Sequence, residues 1–207
     1  MILQILGLAV AGYLLGSIPI AWIVTKVVTG KDLRTLGSGN VGVMNVALSV
    51  TRWAGLLVYL GETTKGLLAV VLARGLTDSP VAIGVTVLAT VIGTRWMVWL
   101  EFAGGRGNTA GLAAMLLLSW QTLLIGIGIW ALVRLITRNS FWATRISLFS
   151  LPFVFGWLTQ SWVYLLFGLA LSGIYLTTHQ TVTDDHTIIK ERWPSLWAFL
   201  IGPKRKS

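Results

Sequence analysis

Two short glycine-rich stretches carry most of the donors that this chain could turn on a ligand. The first, KDLRTLGSGNVGVMN (31–45), holds two cations, three glycines and two asparagines. Glycine permits positive φ and close backbone approach, so Gly37, Gly39 and Gly42 would let successive N–H groups converge on an anion. Ser38, Asn40 and Asn45 add side-chain donors, and Arg34 adds a permanent charge. A phosphate group fits such a nest, although a lone loop of this kind reads equally as a flexible turn. The second stretch, FAGGRGN (102–108), repeats the recipe with Gly104, Gly105, Arg106 and Gly107. Two such loops, each with a cation, strengthen the phosphate reading, and the planar fork of Arg106 suits paired phosphate oxygens. Glu62 and Lys65 stand three apart inside an apolar run. Helical spacing predicts an ion pair between them, and charges at that depth are costly enough to order a polar cavity.

Other chemistries are excluded or unsupported. The chain has no cysteine, which removes disulfides, thiolate catalysis and zinc–thiolate sites. Two histidines, His179 and His186, are too few for a histidine-rich metal centre. No metal and no cofactor is expected, and no Ser–His–Asp set or carboxylate pair stands out.

The elements that must position these residues are membrane spans. Of 207 residues, 55% are hydrophobic and only 11% charged, against about 25% charged in a soluble domain. Apolar segments recur at roughly 2–28, 53–73, 80–100, 109–136, 143–158 and 160–177, each of a length suited to a bilayer. The first is read as a retained span because no small-x-small cleavage site follows it. Six crossings would put the basic stretch 29–52 and the basic tail on opposite faces. Splitting 109–136 near Ser119–Gln121 into two short helices gives seven crossings. Every basic cluster then lies on one side, leaving only Arg74 outside and Lys65 within a span. Short helices are tolerated where their ends line a polar cavity. The expected fold is therefore all-α: one polytopic domain over 1–207, N-terminus out and C-terminus cytoplasmic. Residues 178–207 form its interfacial tail, with Trp193, Trp197 and Phe199 among cations. The net charge of +9 then reflects topology and implies no nucleic acid. Gly16, Ser17 and Pro19, in mid-span, read as close helix packing and a kink.

The pattern resembles the bacterial acyl-phosphate-dependent glycerol-3-phosphate acyltransferases over nearly the whole chain. LLGSIP (14–19) and KDLRTLGSGNVGVMNV (31–46) are similar to the family's opening motifs, the second to D-I-R-x-x-G-S-G-N-x-G-A-T-N-V. AGLLVYLGETTKG (54–66) is similar to A-G-x-x-x-x-x-x-D-x-x-K-G, and IGTRWMVWLEFAGGRGNTAG (92–111) to G-H-x-F-P-x-x-x-x-F-K-G-G-K-G-V-A-T. This chain departs from those patterns at several points. Leu48 stands where the family has arginine, Glu62 where it has aspartate, and Thr94 and Met97 where it has histidine and proline. Arg106 replaces the lysine of G-G-K-G, and of the tail motif only His179 keeps a plausible binding role.

The resemblance implies seven spans in the cell (inner) membrane and an active site facing the cytoplasm. It implies transfer of a fatty acyl group from acyl phosphate to glycerol 3-phosphate, giving lysophosphatidic acid, with Ser38 and Arg106 catalytic. Arg34, Gly37, Gly39, Asn40, Gly42, Asn45, Gly104, Gly105, Gly107 and His179 would bind the phosphates, the two loops converging on a single cradle. Membrane lipid and the enzyme that makes acyl phosphate are the expected partners. Two further readings stay open: a non-catalytic relative that binds a phosphorylated lipid or metabolite, and a small transporter.

Overall fold

A computed structural model describes residues 1–178 and Ala198, and among these every regular element is helical. Five helical stretches are long and apolar enough to cross a membrane: Ile2–Thr29, Arg52–Leu76, Pro80–Leu100, Asn108–Thr137 and Phe141–Thr159. A shorter apolar helix, Trp162–Thr177, follows. These six coincide with the six apolar segments of the sequence. The described residues fall into two compact units, Met1–Ile18 with the chain from Glu62 onward, and Pro19–Gly61 with Ala198.

The first unit is built around helix α5 (Pro80–Arg95). Helix α1 (Ile2–Ser17) lies along it because both carry small residues at the contact. A Cβ at Gly12 would strike the Thr86 carbonyl, at Gly16 the Thr90 carbonyl and at Gly93 the Tyr13 carbonyl. Backbones this close gain dispersion contact that lipid cannot replace. The close packing expected around Gly16 is therefore present. On α5, Thr86, Thr90 and Thr94 are buried, and each donates its hydroxyl to the carbonyl four residues earlier, at 2.7, 2.9 and 3.0 Å. None of these three hydroxyls is stranded, which matters where water is absent. Val70, Val87, Val91, Met115, Phe155 and Phe167 form the apolar centre of this unit.

Helix α6 (Asn108–Thr137) is interrupted at Ser119, whose φ of −162° and ψ of 88° are extended. Ser119 then serves as the cap of the second half: its Oγ accepts from the Thr122 N–H at 3.4 Å and lies 2.8 Å from the Thr122 hydroxyl. An oxygen bonding the third N–H of a helix is the N-cap arrangement, worth about 1 kcal/mol. The halves do not continue in line. Asn108 and Trp130 line the same cavity of about 220 Å³, whereas a straight helix would separate them by about 33 Å. The chain therefore folds back at the Ser-Trp-Gln stretch, where the charge distribution places a break. Helix α7 (Ser140–Thr159) packs antiparallel to the returning half, through Ser147 Oγ to the Gly126 carbonyl (2.8 Å) and Trp130 Nε1 to Thr144 Oγ1 (3.1 Å). Helix α8 (Trp162–Thr178) packs on α7 and α5.

In the second unit, helix α2 (Ile20–Thr29) ends on Gly30 in a left-handed cap (φ 71°). A 3₁₀ turn (Leu33–Thr35), the loop 36–42 and helix α3 (Val43–Ser49) follow. The chain up to Gly61 is the first part of helix α4 (Arg52–Leu76). Gly55 rests on Ala47, where a Cβ would come within 2.5 Å of the alanine methyl.

Candidate active site

The loop 36–45 is organised by Asn45, which is completely buried. Its amide nitrogen donates to the carbonyls of Leu36 and Asn40, both at 2.9 Å. Its Oδ1 accepts from the Ser38 N–H at 3.2 Å and the Ser49 hydroxyl at 3.0 Å. Gly37 must be glycine here, since its φ is +54° and a Cβ would overlap both Ser49 Oγ and Asn45 Oδ1. The backbone differs from the simple anion nest that its glycines suggest. The N–H groups of Ser38, Gly39 and Gly42 bond within the loop, to Asn45 Oδ1, Leu36 O and Asn40 O. Asn45 spends its side chain shaping the turn, and the local glycine count gave no sign of that because its partners lie five to nine residues away.

Arg34 is held by Asp32. The carboxylate accepts from Arg34 Nη2 at 2.8 Å, from Nε at 3.2 Å and from the Arg34 backbone N–H at 2.8 Å. These bonds hold the Asp32 carboxyl well below the usual carboxylate range. The pair is partly exposed, so its contribution to stability is small. Its geometric effect is to fix the guanidinium beside the start of the loop.

In the first unit, the turn that carries Arg106 is fastened at both ends. Gly105 N–H donates to the Thr94 carbonyl at 3.0 Å, and Tyr175 Oη donates to the Gly107 carbonyl at 3.3 Å. Just before it, Glu101 and Phe102 occupy left-handed φ values of 55° and 61°. Non-glycine residues at such angles cost of order 1–3 kcal/mol each and persist only where surrounding contacts impose them. A Cβ at Gly104 would meet the Thr94 and Arg95 carbonyls, which explains the glycine. Arg106 and Asn108 stand at a cavity whose other walls are mostly apolar, Leu112, Leu123, Ile127, Trp130, Leu148 and Leu151, with Thr144, Ser147 and Tyr175 among the remaining lining residues. One cation on a mostly apolar cavity is an arrangement that suits an amphiphilic anion.

Glu62 and Lys65 are deeply buried and paired at 2.8 Å. Lys65 Nζ also donates to the Gly16 carbonyl (3.1 Å) and the Ile18 carbonyl (2.6 Å), so its three protons have three acceptors. Those carbonyls stand where the ladder of α1 runs out at Ser17, whose last carbonyls have no partner within the helix. Thr94 Oγ1 lies 3.3 Å from the same Gly16 carbonyl. Four of the positions at which the chain departs from the pattern it resembles are buried: Leu48 against Met44, Ala47 and Ala198, Met97 completely, and Glu62 and Thr94 within this hydrogen-bond set, whereas Arg106 is half-buried. His179 and the rest of the expected tail, Ala198 apart, lie outside the described residues. Tyr175 was not visible as a site residue in the sequence, being an isolated tyrosine 68 residues from its partner.

Known proteins resemble this chain over most of its length. The sequence model of the glycerol-3-phosphate acyltransferase family matches residues 6–185. The glycerol-3-phosphate acyltransferase of Synechococcus sp. (strain JA-3-3Ab) is 38% identical over 168 residues, covering 81% of this chain and 82% of that one. Glycerol-3-phosphate acyltransferase 1 of Dehalococcoides mccartyi is 43% identical over 149 residues, 69% of this chain and 72% of its own. Among solved structures, the chain resembles PlsY (YgiH), an integral membrane glycerol 3-phosphate acyltransferase. Against its glycerol 3-phosphate form the TM-score is 0.73 at 25% identity, covering 98% of this chain and 95% of that one. The lysophosphatidic acid form gives 0.72. With residues 6–185 matched by the family model, this chain belongs to the glycerol-3-phosphate acyltransferase family.

Proposed function

We propose that the chain transfers a fatty acyl group from an acyl phosphate to the primary hydroxyl of glycerol 3-phosphate, releasing lysophosphatidic acid and inorganic phosphate. The observation that carries this reading is Arg106 at the rim of an apolar cavity, in a chain of this family. The cavity suits an alkyl chain, and the guanidinium suits the phosphate at its head. The loop 36–45, with Arg34, Ser38 and Asn40 placed by Asp32 and Asn45, binds the acceptor's phosphate. His179 is a further candidate on that substrate. Residues 1–207 act as one functional domain.

In this scheme the acceptor hydroxyl oxygen attacks the acyl carbonyl carbon. The C–O bond to phosphate breaks, and its electron pair leaves with the phosphate. The hydroxyl proton passes to a substrate phosphate oxygen, so no protein base is needed. Arg106 disperses charge on the leaving phosphate, and the Ser38 hydroxyl donates to charge developing at the reacting centre. Holding the hydroxyl about 3–3.5 Å from the carbonyl supplies much of the remaining acceleration. Glu62 and Lys65 order the polar interior.

Seven crossings follow if the halves of α6 span separately, which places the N-terminus outside and the acylation site at the cytoplasmic face of the inner membrane. Supply of acyl phosphate then falls to a neighbouring enzyme on that face. The test is direct: purified protein in lipid vesicles, given acyl phosphate and glycerol 3-phosphate, should release lysophosphatidic acid and phosphate in equal amounts. Absence of product from well-folded protein would refute the assignment and favour a binding-only relative. The chain lacks cysteine, so Arg138→Cys and Thr77→Cys report topology: an impermeant maleimide applied from outside should label only position 77.

A further inference from the structure

We infer that Tyr175 is a positioning residue for the Arg106 turn, acting through the Gly107 carbonyl; this rests on the reading of Arg106 as the donor-phosphate ligand. Three observations on separate elements meet here. Tyr175, from α8, is buried and donates its hydroxyl to the carbonyl of the residue that follows Arg106, at 3.3 Å. Gly107 sits at φ +74° and caps α6, so its carbonyl orientation sets where the preceding arginine leaves the backbone. Gly111, one turn into α6, has no room for a side chain, because a Cβ there would coincide with the Tyr175 hydroxyl. The same ring walls the apolar cavity next to Arg106.

The Gly107 carbonyl also accepts the Gly111 N–H at 3.0 Å, and the opposite end of the turn is fixed by the bond from the Gly105 N–H to the Thr94 carbonyl. No side-chain change can replace that bond. Tyr175 is thus the side chain through which α8 sets the aim of the guanidinium. Removing its hydroxyl leaves the ring, and most of the packing, in place. A displacement of about 1 Å at a substrate-positioning group is enough to cost up to a hundredfold in rate.

The experiment compares wild type, Tyr175→Phe, Gly111→Ala, their double variant and Arg106→Ala in vesicles, with rates expressed per folded molecule. Tyr175→Phe should lower kcat/KM for acyl phosphate by about tenfold, the scale of one buried hydrogen bond lost, with KM for glycerol 3-phosphate within about twofold. A purely structural role would not divide the two substrates in this way. Gly111→Ala must evict the hydroxyl, so adding Tyr175→Phe to it should cost little more. Unchanged kinetics in Tyr175→Phe, equal effects on both substrates, or additive losses in the double variant would each overturn the inference. If Arg106→Ala retains activity, the donor-site reading itself has failed; if only Arg106→Ala is inactive, the positioning role alone has failed.

Discussion

Replacing Lys65 by methionine should destabilise the protein far more than its single charge suggests. The ammonium is 2% exposed and gives one proton each to Glu62, Gly16 and Ile18, at 2.8, 3.1 and 2.6 Å. Methionine fills a similar volume, so the loss is electrostatic. Removing one partner of a buried pair costs about 3–5 kcal/mol, because the other charge stays behind without compensation. For a chain of this size that corresponds to a fall in thermal midpoint of roughly 6–20 °C. The eleven tryptophans allow unfolding to be followed by intrinsic fluorescence in detergent micelles. The double variant Glu62→Leu/Lys65→Met discriminates the cause. It removes the stranded carboxylate and leaves the Ile18 carbonyl without its ammonium, while Gly16 keeps only a share of the Thr94 hydroxyl, whose shorter bond goes to Thr90. Its cost should shrink to about 1–3 kcal/mol, the penalty of one unpaired polar group. A shift below about 2 °C for Lys65→Met, or strict additivity in the cycle, would refute this account.

Arg106→Ala should abolish most turnover, while Arg138→Ala, at the exposed end of α6, should leave the rate within about twofold; steady-state acylation assays on both decide. A Cβ at Gly126 would come within 2.6 Å of Leu151, which must then swing toward the cavity. Gly126→Ala should therefore shift preference toward shorter acyl phosphates, read from competition between chain lengths. Asp32 is held low by Arg34, so its contribution is fully present above the pKa of a free aspartate, about 3.9, and drains only as pH falls below that. The midpoint difference between wild type and Asp32→Asn should stay constant from pH 5 to 8 and narrow only in stronger acid.

Much of this was legible in the sequence because lipid imposes simple rules. Six apolar runs gave six helical stretches to within a few residues, since every backbone group in a bilayer must be paired internally. The distribution of lysine and arginine located the interruption of α6 at Ser119, where serine, as a natural cap, makes a restart cheap. Spacing three apart announced the Glu62–Lys65 pair. What escaped were partners set by tertiary approach. The Gly16 and Ile18 carbonyls lie 49 and 47 residues from Lys65, and Gly107 lies 68 from Tyr175. Backbone carbonyls have no signature in a string of letters. The inner bonding of loop 36–45 escaped for the opposite reason, because its glycines advertise donors without saying which are already engaged.

The lysine that finds its acceptors at a broken helix also has a bearing on how the chain enters the bilayer. The segment Arg52–Leu76 brings both an ammonium and a carboxylate into hydrocarbon, and two of the three proton acceptors stand at the end of α1, Gly16 in its last turn and Ile18 at its cap. Ribosomal synthesis delivers α1 before α4, so the acceptors are waiting when the charged segment reaches the translocon. A rearranged gene that placed α1 after α4 would force α4 to integrate while its cation had no Gly16 or Ile18 carbonyl to dock on. Gene order, as well as composition, is thus part of what makes this fold attainable.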